Sequence, residues 1–163
     1  MGNTPGKTTV TEHLIAELKR RGFHVGAIKD MVRIPTLDTP HKETDRYCVA
    51  GAEIIAAIPR CETVIFVKKR LCLKEVLPYF KDSDYVILEG FQSEKNLTKI
   101  IAAKTADEAK EYFEGFIVAV SGLLAESEEE SKKAEALKVP VFKSATQAKE
   151  LADLIEKKSL LHK

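Results

Sequence analysis

A three-layer α/β fold with a mostly parallel sheet is predicted by two patterns in the 163-residue sequence. Short apolar runs alternate with amphipathic helical runs along most of its length, as happens when helical crossovers join parallel strands. One pair of runs breaks that alternation. Glu53 to Ile58 and Thr63 to Lys68 are separated only by Pro59-Arg60-Cys61-Glu62. That is too short for a crossover, so these two strands are expected to pair antiparallel.

Taken in order, Lys7 to Arg21 reads as a helix with Val10, Leu14, Ile15 and Leu18 on one face and Gly22 as its stop. His24 to Lys29 is a strand. A loop with Pro35 and Pro40 covers Asp30 to Lys42, and Thr44 to Ala50 is a short helix closed by Gly51. After the antiparallel pair comes a short helix, Leu73 to Phe80. Tyr85 to Leu88 and Phe116 to Val120 are continuous apolar runs, expected to be strands buried on both faces. Between them lie a strand, Lys99 to Ala103, and a helix, Ala106 to Phe113. Ser127 to Leu137 is a helix whose charges run from acidic to basic, matching its dipole. Val139 to Phe142 is a short strand, and Ala145 to Lys157 the closing helix.

Bulk properties narrow the function. No repeat, low-complexity tract or long linker divides the chain, so residues 1–163 are expected to form one domain. Hydrophobic residues make up 44% and charged residues 31%, enough for one ordinary core. A net charge of +1 lacks the basic excess of a dedicated nucleic-acid binder. No apolar run approaches the roughly 20 residues that span a bilayer, and the polar start does not read as a secretory leader. Cys48, Cys61 and Cys72 have neither metal nor redox spacing. They read as reduced thiols of a cytoplasmic protein.

The chain opens Met1-Gly2-Asn3-Thr4-Pro5-Gly6-Lys7-Thr8-Thr9. Glycine lets backbone wrap closely around phosphate oxygens, lysine reaches the outer phosphates, and a hydroxyl holds magnesium. Gly6, Lys7 and Thr8 fit those roles, and the following helix aims its first amides at the anion. Asn3, Thr4, Pro5 and Thr9 complete the expected nucleotide-binding loop. This places the fold in the P-loop nucleotide-binding class. The full motif would put its first glycine at Met1, and the buried strand that ordinarily precedes the loop is expected upstream of residue 1. A second element supports the site: Asp84-Tyr85-Val86-Ile87-Leu88-Glu89-Gly90 is an apolar run ending in a carboxylate. At such a strand end an acid beside the phosphate loop orders magnesium or its water. Lys7 and Glu89 are therefore the catalytic candidates, and Thr8 and Glu89 the metal candidates. Lys29, at a strand end, points to the crevice where ligands bind in open α/β sheets. Asp38 reads equally as a magnesium ligand and as a turn aspartate before Pro40. His13 reads as a helix-surface residue, and Lys68-Lys69-Arg70 as a solvated strand end.

Four colinear segments resemble the MobB family, adaptor proteins of molybdopterin-guanine dinucleotide biosynthesis. They are Gly6-Lys7-Thr8-Thr9 with Glu17 to Gly26; Ala27-Ile28-Lys29; Asp38-Thr39-Pro40-His41-Lys42-Glu43-Thr44-Asp45-Arg46 running to Ala50-Gly51-Ala52; and Val86 to Phe91 with Lys99-Ile100 beyond. The likeness covers about residues 2–103. His41 stands where the family carries glycine, and Asp30 where it carries histidine. The resemblance implies GTP binding with Mg2+, weak GTP hydrolysis and a homodimer built partly by sheet pairing. It also implies a role beside a MobA-type molybdopterin guanylyltransferase, the enzyme that transfers the nucleotide to molybdopterin. It favours Lys42 and Arg46 as cations for the nucleotide or a pterin. GTP rests on the resemblance alone, because no Asn-Lys-x-Asp is present and Ser121-Gly122-Leu123-Leu124 offers no carboxylate for guanine. Two rivals stand beside it. A small-molecule P-loop kinase would need an arginine-rich lid, yet only Arg60 and Arg70 lie beyond Arg46. The other rival is an interaction module with a decayed nucleotide site.

Overall fold

The computed structural model describes residues 6–159, the side chain of Ser159 excepted. The element order is α1 (Lys7–Arg20), β1 (Val25–Lys29), α2 (Glu43–Val49), β2 (Ile54–Ala57), β3 (Val64–Val67), α3 (Leu73–Val76), β4 (Tyr85–Glu89), β5 (Thr98–Ala102), α4 (Ala106–Glu111), β6 (Phe116–Ser121), α5 (Glu128–Ala134) and α6 (Ala148–Ser159). Two compact units result: Met1–Asp30 with Asp82–Lys163, and Met31–Lys81.

The first unit holds the parallel strands. β1 pairs with β4 from Val25–Tyr85 to Lys29–Glu89, and β5 pairs with β6 across an irregularity at Lys99/Ile100. The two pairs share no ladder among the described residues. The strand expected ahead of the phosphate loop falls outside those residues. Side chains of β5 and β6 alternate between two cores, as the twofold period of a strand requires. Ile101 and Val120 pack with Ala106, Ala109 and Ala134 of α4 and α5. On the opposite face Ile100 and Ala119 pack with Val10 and Leu151 of α1 and α6. Helices thus cover both faces of this pair, giving the three layers. Leu14, Leu18 and Ala152 extend the α1–α6 layer over Val25, Tyr85 and Ile87.

α1 and α6 are also joined by a charged clamp. Arg21 donates to Glu17 (2.8 Å), Asp153 (2.7 Å), Glu156 (2.5 Å) and the Lys149 carbonyl (2.7 Å). Arg20 adds two bonds of 2.7 Å to the same Glu17. Arg20 first, and Arg21 second, hold the Glu17 carboxyl down at about 2. An acid with a lowered folded pKa stabilises above its unfolded value, near 4.3, and that contribution fades as pH falls toward the folded value. The urea midpoint of the native chain is therefore expected to drop between pH 5 and pH 2.5 more steeply than that of Glu17→Gln. Parallel curves for the two proteins would remove Glu17 from the acid response.

The second unit is thinly cored. Ile55, 5% exposed, is its one buried hydrophobic residue among those described, while Tyr47, Val49, Ile54, Ile58 and Ile65 are exposed. β2 and β3 pair antiparallel, Ile54 opposite Val67 and Ala57 opposite Val64, as the short connection demands.

Several expectations are corrected. Tyr85–Glu89 is half-buried throughout, and the β6 run is buried only from Ala119 onward, with Phe116 exposed. Neither strand is sealed on both faces along its length. Leu73 to Phe80 changes to a 3-10 turn at Leu77–Phe80, because Pro78 has no N–H for the α ladder. Ser127 caps α5 by accepting from the Glu130 amide, and the helix tightens to a 3-10 turn at Glu135–Leu137 before the left-handed Lys138. Val139 to Phe142 contributes only a single parallel bridge, Val141 to Val120. Ala145 begins no helix: residues 144–146 form a turn, and Gln147 accepts from the Lys143 amide ahead of α6. No described helix is long and apolar enough to cross a membrane.

Candidate nucleotide site

The site is built where α1 begins, beside the carboxyl ends of β4 and β6. Gly6 caps α1 with φ 102°, a left-handed conformation that glycine adopts without penalty. A Cβ there would stand 3.3 Å from the Gly122 Cα and 3.4 Å from the Leu123 nitrogen. The end of the phosphate loop and the turn after β6 are therefore in close backbone contact. No side chain caps the helix start. The amides of Lys7, Thr8 and Thr9 lie in the first turn, where N–H groups have no intrahelical partner and can cradle an anion.

Three side chains meet at this point. Thr8 Oγ1 donates to Glu89 Oε1 at 3.0 Å. Lys29 Nζ lies 3.2 Å from Thr8 Oγ1 and 3.0 Å from Glu89 Oε1. The parallel register that sets Lys29 opposite Glu89 puts both at one strand end, and the Asp30 amide donating to the Glu89 carbonyl (2.9 Å) pins that end. The side chain of Lys7, in the first turn of α1, has no hydrogen bond or ion pair among the described residues, and Thr9 is exposed. Asn3, Thr4 and Pro5 lie outside the described residues.

The donor set suits magnesium. Thr8 supplies a hydroxyl and Glu89 a carboxylate, both hard oxygens. Mg2+ commonly takes one or two protein oxygens and completes its octahedron with water and phosphate. No group of three or more His, Cys, Asp or Glu side chains with metal-holding geometry occurs among the described residues. A dedicated all-protein cage is therefore not what this site offers.

Asp38, Lys42 and Arg46 belong to the second unit. The Asp38 side chain is only 3% exposed, and both its oxygens are engaged: Lys68 Nζ donates at 2.6 Å and Thr44 Oγ1 at 2.6 Å. Lys68 first, and Thr44 second, hold its carboxyl below the usual range. Asp38 thus ties the loop before α2 to the residue after β3. Lys42 precedes α2 and Arg46 lies within it, both exposed. His41 has φ 67°, a left-handed conformation that favours glycine, and its amide donates to Asp45 at 2.7 Å. That bond helps offset what a non-glycine residue loses there.

Two polar residues read from sequence as solvent-facing are engaged. Lys68 is the Asp38 partner and packs over the Phe66 ring at 5.1 Å. His13 Nδ1 lies 3.1 Å from Ser144 Oγ, linking α1 to the turn before α6. The Glu17–Arg21 clamp was also missed. Glu17 sits on the apolar flank of α1 beside Leu14 and Leu18, and an acid at such a position is a signal for a buried pair.

A family model described as molybdopterin guanine dinucleotide synthesis protein B matches residues 2–122. The chain is 26% identical over 106 residues to a probable molybdopterin-guanine dinucleotide biosynthesis adapter protein of Bacillus subtilis (strain 168). That alignment spans 63% of this chain and 61% of the relative, so it reaches less than two thirds of the relative's length. Among solved structures, Bacillus subtilis MobB superposes with a TM-score of 0.71 at 20% identity, covering 93% of this chain and 89% of that one. A MobB homolog from Bacillus stearothermophilus gives 0.61 at 21% identity, covering 92% and 88%. At these identities the structures establish a shared fold.

Proposed function

Since the chain belongs to the molybdopterin guanine dinucleotide synthesis protein B family, we propose that it is a cytoplasmic GTP-binding auxiliary protein in molybdenum cofactor maturation. It would work beside a MobA-type guanylyltransferase that carries out the nucleotide transfer to molybdopterin. The observation that carries this reading is the meeting of Thr8 and Glu89 at 3.0 Å where the Gly6-Lys7-Thr8 turn opens α1.

Each residue has a part. Gly6 and the first amides of α1 receive the phosphate chain. Lys7 neutralises the β- and γ-phosphates, Thr9 contacts the α-phosphate, and Asn3, Thr4 and Pro5 belong to the same binding motif by sequence. Thr8 would hold magnesium directly and Glu89 through its water shell. Bound magnesium would supply positive charge against the outer phosphates. Asp38 fixes the loop that presents Lys42 and Arg46, which offer charge to the nucleotide or to a pterin substrate. Among the described residues the side chains of Thr8 and Glu89 bond only each other and Lys29, with no arginine or glutamine partner, which supports slow hydrolysis. A homodimer gives the second unit the apolar cover it lacks internally. A two-stranded ribbon with exposed Ile54 and Ile65 is marginal alone and gains from a second copy.

Thermal unfolding with magnesium and GTP, GDP or ATP tests the nucleotide reading. At 100 times the dissociation constant a ligand adds about 2.7 kcal/mol, on the order of 5–10 °C for a chain of this size. Stabilisation by GTP and GDP but not ATP is expected. Identical melting in all three solutions would sink the proposal.

A further inference from the structure

Lys29 raises a question that magnesium ligation by Thr8 and Glu89 leaves open. Its ammonium bridges the two oxygens that would hold the metal or its water, 3.2 Å from Thr8 Oγ1 and 3.0 Å from Glu89 Oε1. Those oxygens are themselves 3.0 Å apart. The three atoms form a closed triangle, so a second cation on these two oxygens would lie beside the ammonium. Lys29 takes one of the two acceptor lone pairs of the Thr8 hydroxyl, whose proton is already given to Glu89. A divalent ion entering here would also face the full repulsion of the ammonium at contact distance.

Resting on the nucleotide reading above, we propose that Lys29 is a built-in cation that competes with divalent metal for the Thr8–Glu89 oxygens. Metal then enters with affinity only when a phosphate chain is present to take the displaced ammonium. Lys29 is placed for such an exchange. Its backbone is fixed in the β1–β4 ladder opposite Glu89, whereas its side chain is 48% exposed against 12% for Glu89. The four-carbon stem is free to turn while the carboxylate stays in place. A swing toward the anion cradle at the start of α1 exchanges a carboxylate for phosphate oxygens as the ammonium's partner, and leaves Glu89 and Thr8 to the metal. Charge accounts for the order of events. Without the phosphates, a double positive charge would replace a single one while Lys29 lost its partner. With them, both cations find anions.

Two properties follow. Metal and nucleotide bind cooperatively, each raising the other's affinity by the same factor. The factor is larger for a triphosphate than for a diphosphate, because the terminal phosphate gives the displaced ammonium its nearest partner. Lys29 is thus a positioning residue that couples metal occupancy to the length of the phosphate chain.

Mn2+ is the probe, its free concentration read by electron paramagnetic resonance with the full chain, alone and with a non-hydrolysable GTP analogue. Lys29→Met is expected to bind Mn2+ alone at least tenfold more tightly than the native chain. Lys29→Arg, which keeps the cation, should behave as native. The factor by which the analogue tightens Mn2+ should fall at least tenfold in Lys29→Met. Lys29→Gln, neutral with a polar tip, repeats the measurement should methionine disturb folding. Equal Mn2+ affinity in the native and both neutral variants would overturn the competition, even with nucleotide binding intact. An analogue that binds by calorimetry but leaves native Mn2+ affinity unchanged would overturn the coupling. Absence of any nucleotide binding by calorimetry is the distinct result that removes the underlying reading as well.

Discussion

Replacing Lys7 with alanine is expected to lower triphosphate affinity at least a hundredfold while leaving the melting temperature of the free chain nearly unchanged. The loss follows from removing a charged donor to two phosphates, where each charge-assisted bond contributes about 1.5–3 kcal/mol and each 1.4 kcal/mol is a factor of ten. The intact fold follows from the surroundings of Lys7. Its side chain has no hydrogen bond or ion pair among the described residues, and alanine is the best helix former for its position in the first turn of α1. Calorimetric titration with magnesium and GTP, alongside thermal melts, separates the two effects. GDP should lose less than GTP, because one of the two phosphates is gone. Unchanged GTP affinity would end the assignment of residues 6–9 as a phosphate loop.

Gly122→Ala is expected to do the reverse and unfold the first unit at moderate temperature. Gly122 has φ 89° and ψ −158°, a region that side-chain-bearing residues essentially never enter. A Cβ would stand 2.8 Å from the Ala103 nitrogen and 2.9 Å from its oxygen. Neither atom can give way. The Ala103 amide donates to the Ser121 carbonyl at 3.1 Å, and its carbonyl accepts from the Leu124 amide at 3.0 Å. Ala103, Val120 and Leu124 all lie in one fully buried cluster. Backbone strain and overpacking together cost about 3 kcal/mol or more, roughly 10 °C in melting temperature. Since Gly6 packs on Gly122, nucleotide affinity should fall too, but only as the fold fails. Wild-type melting in Gly122→Ala would show that this turn relaxes in a way its contacts do not suggest.

These two residues also mark what the sequence discloses. Lys7, Thr8 and Glu89 are legible because each sits at an element end defined by local pattern: a glycine turn into a helix, and an apolar strand closing on a carboxylate. The parallel class of the fold then brings such ends together. The same logic finds Lys29 at the crevice. It does not say that Lys29 and Thr8 share one carboxylate oxygen, which requires the register of β1 against β4. Long-range polar pairs are harder still. Asp38 and Lys68 are 30 positions apart, and Arg21 and Glu156 are 135 apart. No periodicity links them, and a charged residue on an element end or helix flank resembles a solvated one until its partner is in place. Burial of β4 and β6 is overestimated for a related reason. A continuous apolar run implies cover on both faces, and how much cover exists depends on neighbours distant in the chain.

The Arg21 clamp has a consequence for biosynthesis. α1 emerges from the ribosome before the other helices, yet its charged partners Asp153 and Glu156 lie 132 and 135 residues later, as does the Ala152 that covers Leu18. At ordinary elongation rates the apolar face of α1 waits on the order of ten seconds for that cover. The helix behind the phosphate loop therefore gains the last of its support when α6 leaves the exit tunnel. A nascent chain halted before Lys149 carries the binding motif without the scaffold that holds it.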